Sequence, residues 1–216
     1  DAPKHESFRA QLRDFGMDIV RWEAPLPGEA VAGKVPPDFL VYTARDQIMF
    51  ALCSTPHTEA ATIDTRVRED RITFRAGLIT RGDRTWQVGR DRVELKGMDV
   101  TLVYQEKGKI IRGSGTAPER SISFMIKPSL LRAKLGDRIS QLPQAVRDVI
   151  MGKRPFHREG RVSGRLMSVM SSLDDLLRLS PTFLDIHAEA TSIAFLAATL
   201  DTLPAWTPRA AGPTPA

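Results

Sequence analysis

The chain has 216 residues, of which 42% are hydrophobic, and it is basic, with 31 Lys and Arg against 26 Asp and Glu. That length suits one large domain or one and a half, with enough apolar residues for a substantial core. The single cysteine, Cys53, excludes an internal disulfide framework and suits a reducing cytoplasm. No apolar run approaches the roughly 18 residues of a membrane span. The polar start DAPKHESFRAQL lacks an initiator Met and does not read as a signal peptide, so a trimmed chain is expected.

In residues 5–15, Phe8, Leu12 and Phe15 recur at i, i+4 and i+7, which predicts a short amphipathic helix ended by Gly16. MDIVRW (17–22) reads as a strand, and the Pro/Gly-rich stretch 23–38 as a loop. FLVYT (39–43) and QIMFALC (47–53) read as strands joined tightly through Ala44, Arg45 and Asp46. Residues 55–70 are weakly patterned. RITFRAGLIT (71–80) is a strand whose central Gly77 suggests a bend or bulge. From 85 to 126 short alternating runs carry Trp86/Val88, Val93/Leu95, Val100/Leu102/Tyr104 and Ile110, separated by turn residues. Evenly spaced short strands predict a sandwich or barrel. SISFMI (121–126) closes the run, and Gly113-Ser114-Gly115 reads as a turn.

The period then changes to helical. Ser129 is the expected N-cap of a helix that Gly136 stops. LPQAVRDVIMG (142–152) is a second helix. Residues 163–179 form a third, with Leu166, Val169, Met170, Leu173, Leu176 and Leu177 on one stripe. Ser180-Pro181 opens the last helix, which runs to about Leu203. The Pro/Ala-rich tail reads as a disordered stub. The expected class is therefore α+β: an antiparallel β-barrel followed by a C-terminal bundle of three to four helices. The expected parts are an N-terminal arm (1–16), a barrel (17–127), a helical region (128–203) and a stub (204–216).

Polar chemistry is sparse. Metal-binding barrels converge His side chains from neighbouring strands. Here His5, His57, His157 and His187 lie on no clear strand and form no H-x-H pair, so no metal and no cofactor are expected. Cys53, ending an apolar strand, reads as a small buried hydrophobe rather than a nucleophile. Asp174 and Asp175 are adjacent on a helix and point apart. Asp185 and Glu189 read as a polar helix face rather than an acid–base pair, and no catalytic residue is assigned. Arg66, Arg68, Arg71, Arg75, Arg81, Arg84, Arg90 and Arg92 alternate along strands. That pattern reads first as solvent-facing, with an anion-attracting surface as the alternative.

Aromatic residues are the candidate ligand contacts. Trp22, Tyr42, Phe50, Phe74, Trp86 and Tyr104 all fall on predicted strands, and a barrel of about eight strands can hold one small ligand. Each could equally be ordinary core. Arg75 and Arg84 flank aromatic positions and could pair with a ligand carboxylate or phenolate. On the last helix, Phe183, Ile186, Ala190, Ile193, Ala197 and Leu200 form a stripe rich in small residues. It either packs on the body or meets its own copy across a two-fold axis, and one face could do each.

Three segments carry a family resemblance. ISFMIKPSLLRAKLG (122–136), LPQAVRDVIMGKRPFHREGRVS (142–163) and FLDIHAEATSIAFLAATLDTL (183–203) resemble the regulatory domain of AraC/XylS-type transcription regulators, in the branch of the pyochelin regulator. WQVGRDRVELKGMDVTLV (86–103) resembles a hairpin and Gly-x-Asp turn of a cupin barrel. The likeness spans about four fifths of the chain in packing patterns rather than catalytic motifs. It implies a cupin-like sensor domain that binds a small-molecule effector, often as a homodimer. It also implies control of a separate helix-turn-helix domain, for which no pattern follows Leu203. The branch suggests a siderophore or iron-linked metabolite. The alternatives are a metal-free cupin enzyme and a purely structural dimerisation module.

Overall fold

A computed structural model describes residues 12–23, 38–44, 48–55, 61–80, 84–95, 98–115, 119–159, 162–176 and 181–202. In chain order the strands are β1 (Met17–Glu23), β2 (Asp38–Ala44), β3 (Ile48–Thr55), β4 (Ala61–Val67), β5 (Arg71–Thr80), β6 (Arg84–Val88), β7 (Asp91–Leu95), β8 (Val100–Gln105), β9 (Ile110–Gly115), β10 (Glu119–Ile126) and β11 (Phe156–Glu159). The helices are α1 (Pro128–Leu135), a 3-10 helix (Gly136–Gln141), α2 (Gln144–Ile150), α3 (Gly164–Leu176) and α4 (Pro181–Thr202).

The strands form two antiparallel sheets, one in the order β1-β4-β9-β6-β7 and one in the order β11-β8-β5-β10-β3-β2. This corrects the expected barrel. Among the described residues no ladder joins the two sheets, so each keeps its own edge strands and they stack face to face. Two strands, and the end of a third, escaped the sequence reading. β4 lies in the weakly patterned stretch because its period-2 apolar positions, Ile63 and Val67, are interrupted by Thr65. β9 takes in Gly113, Ser114 and Gly115, which pair with β4 and β6 instead of turning. β11 is four residues long and exists through its ladder with β8.

Strand alternation gives the six-stranded sheet two different faces. One carries Ile72, Phe74, Ala76, Val100, Leu102, Ile122, Phe124 and Ile126, all fully buried under the helices. Phe124 sits 6.3 Å from Phe74 and 6.3 Å from Phe195 of α4, ring centre to ring centre. Leu166 and Met170 of α3 enter the same core, as their stripe predicts. The other face looks toward the five-stranded sheet.

The helices form a layer on the sheet; the expected bundle is not what the contacts describe. α3 packs on α4, α4 lies against β2, β3 and β10, and α2 packs on β8 and β11. Their ends follow local chemistry. α1 starts with Lys127 as N-cap and Pro128 in its first turn, so Ser129 stands inside the helix, one correction to the reading above. Gly136, at φ +53°, stops it as expected. Ser163 caps α3 by accepting from the Leu166 N–H at 3.2 Å. α2 ends in a Schellman turn: Gly152 N–H donates to Val149 O and Lys153 N–H to Asp148 O. Gly152 has φ +72°, and a Cβ there would stand 2.9 Å from Cζ of Tyr104, so the turn needs glycine twice over.

Candidate functional site

The face of β5 that looks between the sheets carries Arg71, Thr73 and Arg75, and all three are buried. This corrects the solvent-facing reading for Arg71 and Arg75; Arg66, Arg68, Arg90 and Arg92 are exposed as that reading has it. Arg71 donates to the Phe15 carbonyl at 3.1 Å and to Glu69, and its guanidinium lies 4.7 Å from the Phe15 ring centre. Thr73 donates to Gln105 Oε1 at 3.1 Å. These two close the end of the interior beside the Leu12–Phe15–Met17 cluster.

Arg75 anchors the centre. Its Nη1 donates to Asp99 Oδ1 at 3.2 Å, and the side chains of both residues are 1% exposed. Asp99 stands just before β8, fixed by its carbonyl, which accepts from the Gly77 N–H at 2.9 Å. Its other oxygen accepts from Nε of Arg158, on β11, at 2.6 Å. One buried carboxylate therefore bridges guanidiniums from two strands. A charge-assisted bridge of this kind is strong, and breaking it leaves a buried charge exposed to the low-dielectric interior. Register places Thr101 of β8 between the two arginines: it pairs with Arg75 on one side and Arg158 on the other. Thr101 is fully buried, and its Oγ1 makes no hydrogen bond. Ser123 of β10 continues the row beyond Arg75.

The opposite wall comes from β6. The Arg75 guanidinium lies 5.6 Å from the Trp86 ring centre, within cation–π range. Trp86, Val88 and Val93 pack against Val103, Ile111 and Phe156. Across the ladder from Trp86 is Gly113, where a Cβ would come within 3.4 Å of the indole, so the glycine gives the ring its space. Arg84, two residues before Trp86 on the same strand, is half-buried.

The sequence-derived ligand set thus divides. Arg75 and Trp86 meet between the sheets. Phe74 lies on the other face, sealed in the helix-side core, so its assignment to a ligand cavity is corrected by strand alternation. Tyr104 is on that face too. Its hydroxyl donates to Asp70 Oδ2 at 2.7 Å, and Asp70 also accepts from the Lys107 N–H at 2.8 Å. The Tyr104 bond holds the Asp70 carboxyl below its usual range, while burial and Asp70 push the phenol up to about 12. Tyr104 is a structural pin. The side chains of Trp22, Tyr42 and Phe50 lie outside the described residues; in backbone register Tyr42 pairs with Phe50, and Phe50 with Phe124. The side chain of Cys53 is likewise outside them, as are His5, His57, Asp174 and Asp175. His157 falls on β11, and His187 is exposed on α4; among the described residues no three His, Cys, Asp or Glu side chains cluster as metal ligands do.

Asp99, Thr101 and Arg158 were not legible as site residues. Asp99 reads as a turn residue, Thr101 as a filler between Val100 and Leu102, and Arg158 belongs to an unrecognised strand.

On α4 the predicted stripe also divides. Ile186 and Ile193 are 67% and 55% exposed, and Ala190 is exposed beside them. Ala197 is half-buried, and Leu200 packs on the core, so it turns inward. The face that α4 buries is Ser192, Phe195, Leu196, Ala198 and Thr199. Phe183's side chain is outside the described residues. Arg165 of α3 pairs with Asp201, joining the two helices at the surface. Among the described residues no helix is long and apolar enough to cross a membrane.

The sequence matches no protein-family model and no curated relative. Solved structures do resemble the fold. The AraC-like transcriptional activator CuxR superposes with a TM-score of 0.52 at 15% identity, over 99% of this chain and 72% of that one. A cupin superfamily protein from Desulfitobacterium hafniense gives a TM-score of 0.33 at 16% identity, over 48% of this chain and 88% of that one. The cupin domain of Schizosaccharomyces pombe Cnp3 gives 0.34 at 13% identity, over 47% and 66%. Those two half-chain likenesses add no weight. The chain shares its fold, over nearly its whole length, with an AraC-like transcriptional activator.

Proposed function

We propose that this chain is the effector-sensing and dimerisation module of an AraC-type bacterial transcription regulator. The observation that carries the reading is the row of polar side chains buried on the inner face of the six-stranded sheet, with Arg75 against Trp86, in a fold shared with such an activator. An interior face built only for stability would be apolar, as the helix-side face is. A small-molecule effector binds between the sheets, contacting Arg75, Arg84 and Trp86. The sequence resemblance points to a siderophore or iron-linked metabolite. The exposed face of α4, with Ile186, Ala190 and Ile193, meets its copy in a homodimer. DNA is reached through a separate helix-turn-helix domain, and the protein works in the cytoplasm without catalysing a reaction. Effector binding changes output only through a difference in affinity for two arrangements of the domain.

Thermal unfolding against iron-bound siderophores, free siderophores, sugars and aromatic acids tests the reading. Binding to the folded state alone adds about 2.7 kcal/mol at one hundred times the dissociation constant. One chemical class is expected to raise the melting temperature, and sedimentation of the same sample is expected to give the mass of two copies. A two-copy mass with no stabilising class would leave a structural dimerisation module instead.

A further inference from the structure

We propose that Arg75, Thr101 and Arg158 form a subsite for a carboxylate group on the effector, with Asp99 holding the two guanidiniums in position. This rests on the sensing reading and adds the chemical class of the ligand.

Three observations carry it. First, the row is contiguous: Arg75, Thr101 and Arg158 are direct partners across β5, β8 and β11, so their side chains emerge on one face about 4.8 Å apart in the ladder direction. Second, Thr101 Oγ1 is fully buried with no hydrogen-bond partner. A buried hydroxyl left unbonded is costly, and such groups in a native interior call for an explanation. A carboxylate oxygen accepting from Thr101 and from the neighbouring guanidinium supplies it, since an ionised carboxylate only accepts and both neighbours donate. Third, the row has an open end. Arg158 uses Nε on Asp99, and its side chain is still 31% exposed. An entering acid meets Arg158 first and Thr101 next. Trp86 offers the body of the ligand an apolar wall.

The position of Arg158 gives binding a route outward. β11 is an edge strand of four residues between α2 and α3, held by one ladder to β8. An anion shared by β8 and β11 ties that strand down, and with it the connection between the two helices.

The test uses acid–amide pairs, phenylacetate with phenylacetamide and 3-phenylpropionate with its amide, on the whole chain and on Thr101→Val and Arg158→Gln. Thr101→Val keeps the shape and removes only an unbonded hydroxyl, so its unliganded melting temperature should equal or exceed that of the parent. The acids are expected to raise the parent's melting temperature and the amides not. Each variant should weaken the acid's apparent affinity at least tenfold, and the acid should slow amide hydrogen exchange in residues 156–159. Equal shifts from acid and amide, or acid shifts unchanged in both variants, would overturn the subsite and leave the sensing reading standing. No shift from any acid, when another chemical class stabilises the protein, also overturns the subsite alone. No shift from any compound removes both.

Discussion

Phe74 and Arg75 are consecutive residues of one strand, both fully buried, and they belong to different molecules in all but name. Phe74 faces helices and packs within the hydrophobic core, against the Phe124 ring. Arg75 faces the second sheet, a carboxylate and an indole. A sheet covered on both sides can afford two apolar faces, and many such sheets have them. Here one face is used as core and the other holds buried charge, at a desolvation cost that stability alone gives no reason to accept. The contrast is what the proposed function rests on: the candidate site lies opposite the helix layer, on the face whose burial is chemically expensive.

The contrast can be broken from the apolar side first. Phe124→Ala empties the centre of the Phe74–Phe124–Phe195 stack and should lower unfolding stability by about 4 kcal/mol, read by denaturant titration. A loss below about 1 kcal/mol would mean the helix layer is not seated as described.

From the polar side, Asp99→Ala removes the bridge between Arg75 and Arg158. Arg158 can turn toward water, but Arg75 stays enclosed and loses its Asp99 partner, so the expected loss is about 3 kcal/mol. If stability is unchanged, the inner face is wetter than its burial indicates, and the difference between the two faces shrinks.

The smallest effect sits at the rim, where the helix-side face meets water through Tyr104. Tyr104→Phe deletes one hydrogen bond to a carboxylate and should cost about 1 kcal/mol at neutral pH. Its pH dependence has a definite sign. Tyr104's folded value is raised to about 12, so its contribution is full below the unfolded value near 10 and is lost as pH climbs from there toward about 12. Asp70's folded value is lowered, chiefly by the Tyr104 bond. Its contribution is present above the unfolded carboxylate value and is lost as pH falls through the folded one. Subtracting the variant's stability–pH curve from the parent's should show both losses; a flat difference curve would remove Tyr104 as a pin.

Much of this architecture is legible in the chain. The switch from a period of two to a period near 3.6 around residue 127 separates strands from helices, because side-chain direction repeats differently in the two backbones. Gly136, Ser163 and Pro181 mark helix ends by local rules that need no tertiary context. Leu166, Val169 and Met170 of the α3 stripe reach the core; the side chains of Leu173, Leu176 and Leu177 lie outside the described residues. Arg75 and Trp86 are recognisable in the chain as a charged and an aromatic strand residue, and the fold brings them together.

What the chain alone leaves open is which side of a strand is which, and what lies across from it. Alternation fixes that Phe74 and Arg75 point apart, yet only packing decides that helices cover the first and a second sheet the second. β5 alternates Arg71, Thr73 and Arg75 with Ile72, Phe74 and Ala76, a pattern that by itself marks a solvent face; it is the second sheet that buries it. β11 is too short to declare itself, and forms because β8 offers it a free edge. Asp99 and Arg158 lie 59 residues apart along the chain. They meet, and Arg75, Thr101 and Arg158 form one row, only when β5, β8 and β11 come into register, and register is a property of the folded sheet.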